Sequence, residues 1–302
     1  RPGGGTQSRL TLVRGSGMRR RFLVICLMGA AGLAAFVVAG WREAVSTPRV
    51  VRYDVSIPGW PPGQPPLRIV QLSDTHFGAP DMTLDRLTAI VKQANALRPD
   101  LVVLTGDYHG GKLYDYAAGH LDDAVRPFRE LRSRYGTFAV RGNHDEAHYS
   151  PIVIPRYRIT YLQNSWADAG PLIIAGLDDL STGTPDIAAA LRNIPPGKPV
   201  ILLMHEPDSF PAVPSAIPLS FAGHTHGGQI VLPLIGALTT NSIYGNRFRR
   251  GLISEKGHVL IVSSGVGASA VPLRIGVPPE IVVVTLHGAG PYSVGRKSGT
   301  DR

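Results

Sequence analysis

One cysteine in 302 residues leaves this chain without the means to form an internal disulfide. That residue, Cys26, lies inside the one long apolar run, so the rest of the chain has no thiol for a Cys-ligated zinc site. Acidic residues are nearly missing from the first fifty positions, which hold eight Arg and the single acid Glu43. Basic excess is nearly missing from the remainder, which carries only +2 of the total net charge of +9. The high isoelectric point therefore belongs to the leader, and no basic face for a nucleic acid is expected on the body. No internal repeat is visible. What is present is 43% hydrophobic composition over a length that suffices for one large domain with a core.

The apolar run, Phe22 to Trp41, contains no charge. As a helix of about 20 residues it would rise roughly 30 Å, the thickness of a bilayer core. Arg19-Arg20-Arg21 precedes it and predicts a cytoplasmic N-terminus, with the body outside the cytoplasm on a single-pass cytoplasmic membrane anchor. The alternative is export followed by cleavage. Arg19-Arg20-Arg21-Phe22-Leu23 fits the twin-arginine pattern, and Val37-Val38-Ala39 offers small residues for a cut before Gly40. Residues 1–21 are expected to be a basic, disordered N-terminus, 22–41 the transmembrane or signal helix, 42–66 a linker with a first strand, 67–287 the catalytic domain, and 288–302 a disordered tail.

Within the body, strands are expected at 50–57, 67–72, 101–104 and 138–140, with helices at about 84–97 (capped by Thr83) and 121–131 between them. Further strands are expected near 172–175, 200–204, 219–222, 229–232, 259–262 and 281–286, with a helix at 184–191. Alternation of strand, loop and helix indicates an α/β fold whose functional loops gather at the carboxyl ends of strands. The many strands of the second half suggest a second sheet packed on the first.

Five short motifs sit at those strand ends: Asp74-Thr75-His76, Gly106-Asp107, Gly142-Asn143-His144-Asp145, His205 and Gly223-His224-Thr225-His226. They supply carboxylate oxygens, an amide oxygen and imidazole nitrogens, which suit hard and borderline divalent cations. One ion needs three or four protein ligands, whereas two sharing a carboxylate need about seven or eight, roughly the number here. Asp107, behind the turn-permitting Gly106, is placed to bridge. His120, His148, His258 and His287 read as solvated or structural. His109 and Arg249 are candidates for contact with substrate, the latter because arginine forks match phosphate oxygens.

Taken in order, these motifs resemble the calcineurin-like metallophosphoesterase superfamily over about residues 67–287. Gln71-Leu72-Ser73-Asp74-Thr75-His76, Gly176-Leu177-Asp178-Asp179 and Gly223-His224-Thr225-His226-Gly227-Gly228-Gln229 are similar to its membrane-anchored or exported bacterial branch. The resemblance implies a four-layer α/β-β/α sandwich and two divalent metal ions (Mn, Fe, Zn or Mg). Asp74, His76, Asp107 and His226 would hold the first ion, and Asp107, Asn143, His205 and His224 the second. It also implies hydrolysis of a phosphodiester, pyrophosphate or phosphomonoester by a metal-bridging hydroxide, with His144 as general acid. The substrate could be lipid-linked or nucleotide-linked, and some of this branch resemble UDP-2,3-diacylglucosamine pyrophosphatases of lipid A synthesis. A non-enzymatic interaction scaffold is the remaining alternative. In one respect the chain departs from many relatives, because Gly106-Asp107-Tyr108-His109-Gly110 lacks the second Asp of a Gly-Asp-x-x-Asp motif. Asp145, backbone or His109 is left to orient His144.

Overall fold

The computed structural model describes residues 15–113, 120–288 and 295–297. Five strands come first, β1 (Arg49–Ile57), β2 (Leu67–Leu72), β3 (Leu101–Thr105), β4 (Thr137–Val140) and β5 (Ile159–Tyr161). Then follow β6 (Ser165–Asp168), β7 (Ile173–Gly176), β8 (Val200–Leu203) and β9 (Leu219–Ala222). A short hairpin, β10 (Val231–Leu232) and β11 (Gly236–Ala237), precedes β12 (Gly251–Glu255), β13 (His258–Val262), β14 (Glu280–Gly288) and β15 (Gly295–Lys297). The principal helices are α1 (Gly15–Ala44), α2 (Leu84–Ala96) and α3 (Leu121–Val125).

These strands form two large sheets, ordered β15-β1-β14-β2-β3-β4-β5 and β12-β13-β9-β8-β7-β6. Strand alternation explains how they stack. In β2 and β3, Leu67, Ile69, Leu101 and Val103 point to one face and meet Ile201, Leu203, Leu219 and Phe221 of the other sheet. Val70, Leu72, Val102 and Leu104 point the opposite way, onto Leu87, Ile90, Val91 and Ala94 of α2 and onto α3. The outer face of the second sheet is covered by Phe210, Ala190 and Phe248 from short helical turns and by Val213 and Ile217 from the chain that follows Phe210. The architecture is therefore four layers, α/β-β/α. Helix α2 follows from its sequence: the Thr83 side chain accepts from the Arg86 N–H at its start, and its buried residues recur at helical spacing.

Several boundaries differ from expectation. Residues 15–21, expected to be disordered, continue α1 toward the N-terminus. Residues 1–14 lie outside the described residues. The helix expected over 121–131 is α-helical only to Val125 and continues as a 3-10 turn, Arg126–Glu130, because Pro127 has no N–H to donate and crowds the preceding turn. The helix expected at 184–191 is only Ile187–Ala190, since Asp186 caps it by accepting from Ala189 N and Thr184 N is bound to Asp178. The strand expected at 229–232 begins at Val231 because Gln229 is left-handed, at φ 49°. Part of the tail expected to be disordered, Gly295–Lys297, instead pairs antiparallel with β1. Positions 289–294 and 298–302 fall outside the described residues.

Candidate metal centre

Strands β2, β3 and β4 run parallel in one sheet, and β8 and β9 run parallel in the other, so their carboxyl ends can face one cleft. Across the sandwich, Gln71 Nε2 donates to Thr105 Oγ1 (2.9 Å) and to the Ala222 carbonyl (2.8 Å), fixing the two sheets at the ends where the motifs begin. Beyond β2 and β3 the backbones stay in register: Asp74 N donates to Gly106 O and His76 N to Asp107 O, each at 3.0 Å. Asp74, His76, Asp107, His224 and His226 all have positive φ, between 41° and 69°. Left-handed backbone costs roughly 1 kcal/mol or more per residue for a side chain with a Cβ, so five instances in one cluster indicate geometry imposed by the surrounding structure.

That geometry converges the donor atoms. Asp74, His76, Asp107 and His226 form one group, and Asp107, His205 and His224 a second, with ligand atoms within 4.8 Å of one another in each. His76 Nε2 lies 3.0 Å from His226 Nε2 and 3.4 Å from Asp107 Oδ2. His226 Nε2 is 3.5 Å from Asp74 Oδ1. In the second group, Asn143 Oδ1 is 3.1 Å from His205 Nε2 and 2.9 Å from His224 Nδ1, and His205 Nε2 is 3.2 Å from Asp107 Oδ2. One carboxylate oxygen is thus shared by both groups. The outer nitrogens are assigned by their partners. His76 Nδ1 donates to Gly110 O (2.8 Å) and His205 Nδ1 to Thr105 O (2.7 Å), which leaves each Nε2 directed into the cluster. Imidazole nitrogens packed against one another, carboxylates and an amide oxygen in a buried space are a donor set that a divalent cation fits.

The electrostatics agree. Burial lowers His76 and His224 to about 4, and burial, with the His76 ring and the Arg274 guanidinium beside it, holds His226 well below the ordinary histidine value. These rings are neutral and ready to bind a cation. Burial also works against a charge on His205, yet the Asp107 carboxylate, Asp74 and the Thr105 carbonyl outweigh it and hold its pKa well above the ordinary value. A proton on His205 therefore occupies the place of a positive ion. Burial raises Asp74 to about 6, helped by Asp107.

His144 is half-buried. Its N–H donates to Asp107 Oδ1 at 3.0 Å, and its ring stands edge-on to His76 with centroids 5.3 Å apart. Asp145 is engaged elsewhere: its carboxylate accepts from Gly142 N, Asp107 N and Tyr108 N, each at 2.8 Å, and so fastens the Asn143 loop to the Asp107 loop. His109, on the Asp107 loop, bridges through its backbone to Phe77. Arg249 donates to Gly227 O (2.9 Å), and its own carbonyl accepts from Thr225 Oγ1 (2.6 Å), so it braces the His224–His226 loop.

Two buried arginines, which the motifs do not single out, complete the frame. Arg141 donates to Asp178 Oδ1 (2.8 Å) and Thr182 Oγ1 (2.7 Å), immediately before the Gly142-Asn143-His144 turn. Arg274 donates to the Ser264 carbonyl (2.6 Å) and also contacts Gly267 O, and it faces His226 Nδ1 at 3.3 Å. Of the other histidines, His258 stacks on Phe210 and His287 pairs with Asp54, both away from the cluster.

Two facing sheets with a buried Asp/His cluster at their strand ends define a metal-binding α/β protein. Sequence comparison makes the class specific: the chain belongs to the calcineurin-like phosphoesterase family, whose profile matches residues 67–234. It is a metallophosphoesterase, a phosphoester hydrolase. A Bacillus subtilis protein named as an uncharacterized metallophosphoesterase is 35% identical over 237 residues, covering 75% of this chain and 81% of that one. An Aquifex aeolicus protein of the same description is 32% identical over 254 residues, covering 80% and 93%. A bovine transmembrane protein with metallophosphoesterase domain is 30% identical over 276 residues, covering 83% of this chain but only 60% of its own length.

Proposed function

We propose that the chain hydrolyses a phosphodiester, pyrophosphate or phosphomonoester with two divalent ions (Mn, Fe, Zn or Mg), at the membrane. Asp74, His76, Asp107 and His226 hold one ion, and Asp107, Asn143, His205 and His224 the other. The observation that carries this reading is Asp107 Oδ2, which lies 3.4 Å from His76 Nε2 and 3.2 Å from His205 Nε2 and so belongs to both donor groups. When bound, such ions make water acidic and neutralise charge developing on phosphoryl oxygens. The protein's own part is positional. Asp107 ties the two donor groups, Asp145 fixes the loops that carry Asp107 and Asn143, and His144, half-buried at the rim, donates a proton to the leaving oxygen. The intact donor set argues against a scaffold that has lost chemistry.

Helix α1 supports membrane attachment. From Met18 to Ala44 it is long and apolar enough to cross a bilayer, and its most apolar window is not covered by the rest of the molecule. Arg19-Arg20-Arg21, before the apolar run, supports a catalytic domain outside the cytoplasm, either anchored or released by cleavage.

The test is metal content and bis-p-nitrophenyl phosphate hydrolysis on the full chain in detergent, beside Asp107→Ala and His144→Ala. Wild type should hold two ions per chain and turn over. Asp107→Ala should lose metal and activity together, and His144→Ala should keep metal while the rate falls about 10²- to 10⁴-fold. A chain that binds no divalent ion and hydrolyses no phosphoester would sink the reading.

A further inference from the structure

Outside α1, the described residues expose ten large apolar side chains, and five of them, Leu234, Ile235, Leu238, Ile243 and Tyr244, fall between positions 234 and 244. Leu234 and Ile235 form the tip of the β10–β11 hairpin and are 108% and 71% exposed. Isolated exposed apolar residues need no explanation, whereas a contiguous cluster marks a contact surface.

Its place in the fold identifies the contact. The segment Leu273 to Gly276 is bonded on both sides. Toward the hairpin, Ile275 N donates to Gln229 O and Val231 N to Ile275 O, each at 2.9 Å. Toward α1, Arg274 N donates to Gly40 O and Gly276 N to Glu43 Oε2, each at 3.0 Å. Gly40 admits this segment because a Cβ there would lie 3.1 Å from Ile275 Cδ1 and 3.3 Å from Leu273 Cβ. Residues 19–39 of α1 are exposed throughout, so Gly40 is where the apolar helix leaves the domain. Leu234 is three positions along from Val231, a reach of about 10 Å. Arg42, Arg49 and Arg250 are exposed around the same root, and the latter two line, with Gly276 and Glu280, a cavity of about 250 Å³.

We propose that residues 232–244 are a second bilayer contact, in which Leu234, Ile235 and Leu238 enter the interfacial layer beside the exit of α1 and the three arginines face anionic headgroups. The proposal rests on the reading that α1 spans a membrane, since the charge-free run Phe22–Trp41 of α1, fixed beside the hairpin root, brings the lipid surface to it. It has a consequence for the site. A Cβ at Gly228, two residues after His226, would lie 2.6 Å from Ala237 Cβ, so the hairpin is seated on the metal-binding loop and holds the cluster at headgroup depth.

The experiment uses the full chain with Cys26→Ser and single cysteines at Leu33→Cys in α1, Leu234→Cys at the tip and Ile152→Cys on the outer helical layer. Each is labelled with an environment-sensitive fluorophore in phosphatidylcholine–phosphatidylglycerol vesicles containing nitroxide-bearing lipid. Labels at 33 and 234 should be quenched several-fold more than the label at 152. Adding Ile235→Asp and Leu238→Asp should return the label at 234 to the level of 152. Quenching at 33 but not at 234 overturns the second contact while leaving the anchor intact. No quenching at 33 removes the anchor, and the proposal with it. A label at 234 shielded from both water and lipid quenchers would mean that a protein surface, such as a second copy of the chain, covers the tip, which also overturns the proposal.

Discussion

Arg141 shows how much of the site rests on single side chains that touch no donor group. Its guanidinium is buried against Asp178, so Arg141→Met leaves a carboxylate in the interior without its partner. Breaking such a pair costs about 3–5 kcal/mol, whereas replacing both members with apolar residues is often near neutral. Arg141→Met is therefore expected to lower the chemical-denaturation midpoint strongly, and Arg141→Met with Asp178→Asn to recover part of the loss, because the amide drops the charge while keeping an oxygen to accept from Asp179 N or Thr184 N. A double variant as unstable as the single would show that the arginine acts through something other than this pair. At the same scale, the residues that cluster at the strand ends, Asp74, His76, Asp107, Asn143, His205, His224 and His226, were legible because their side chains are chemically conspicuous there. The frame was not. Arg141 meets Asp178 across 37 positions and Arg274 meets His226 across 48, and nothing local in either stretch announces the partner. Asp145 was one of three alternatives for orienting His144, and its three backbone donors show that it ties loops together instead.

Elements with strong periodicity were legible to within a residue or two: β2, α2, β3, β9 and β13 carry buried runs or an amphipathic stripe. The edge strands β5, β6 and β12 were not, because half-exposed strands with mixed polarity look like loops in sequence. The turn between β3 and the Asp107 loop makes a sharper claim. Gly106 has φ 91°, and a Cβ would lie 2.5 Å from Gly142 N and 2.7 Å from His205 Nδ1. Gly197, at φ 98°, has open space around its Cβ position. Both alanine variants carry backbone strain, but only Gly106→Ala drives the loops apart. We expect Gly197→Ala to lose about 1 kcal/mol or less and keep metal, and Gly106→Ala to lose more and bind metal poorly. Equal metal binding by the two, measured by elemental analysis, would refute the steric argument.

For the molecule as a whole, pH separates the roles of the histidines. His76 and His224 sit at about 4, below the ordinary 6.5, so protons compete with a cation for them only near pH 4. His205 is held well above 6.5, so near neutrality it carries a proton that a cation must displace. Divalent affinity should then rise as pH increases through neutrality, by up to about tenfold per unit while one proton is released. Titration calorimetry in buffers of different ionisation enthalpy would detect that proton, and affinity flat between pH 6 and 8 would exclude it.

The position of β14 governs the order in which this molecule can be made. Residues 280–288 lie between β1 and β2, parallel to the first and antiparallel to the second, so the strand nearest α1 has no neighbour in the main sheet until they arrive. On the ribosome, α1 can reach a lipid bilayer while β1, although synthesised early, still waits for residues more than 220 positions later. A nascent chain arrested before Glu280 should be degraded rapidly by added protease, and one extended past Gly288 with a spacer should resist it. The gap between β1 and β2 in the first sheet is thus closed by a late-made strand that contributes no donor atom.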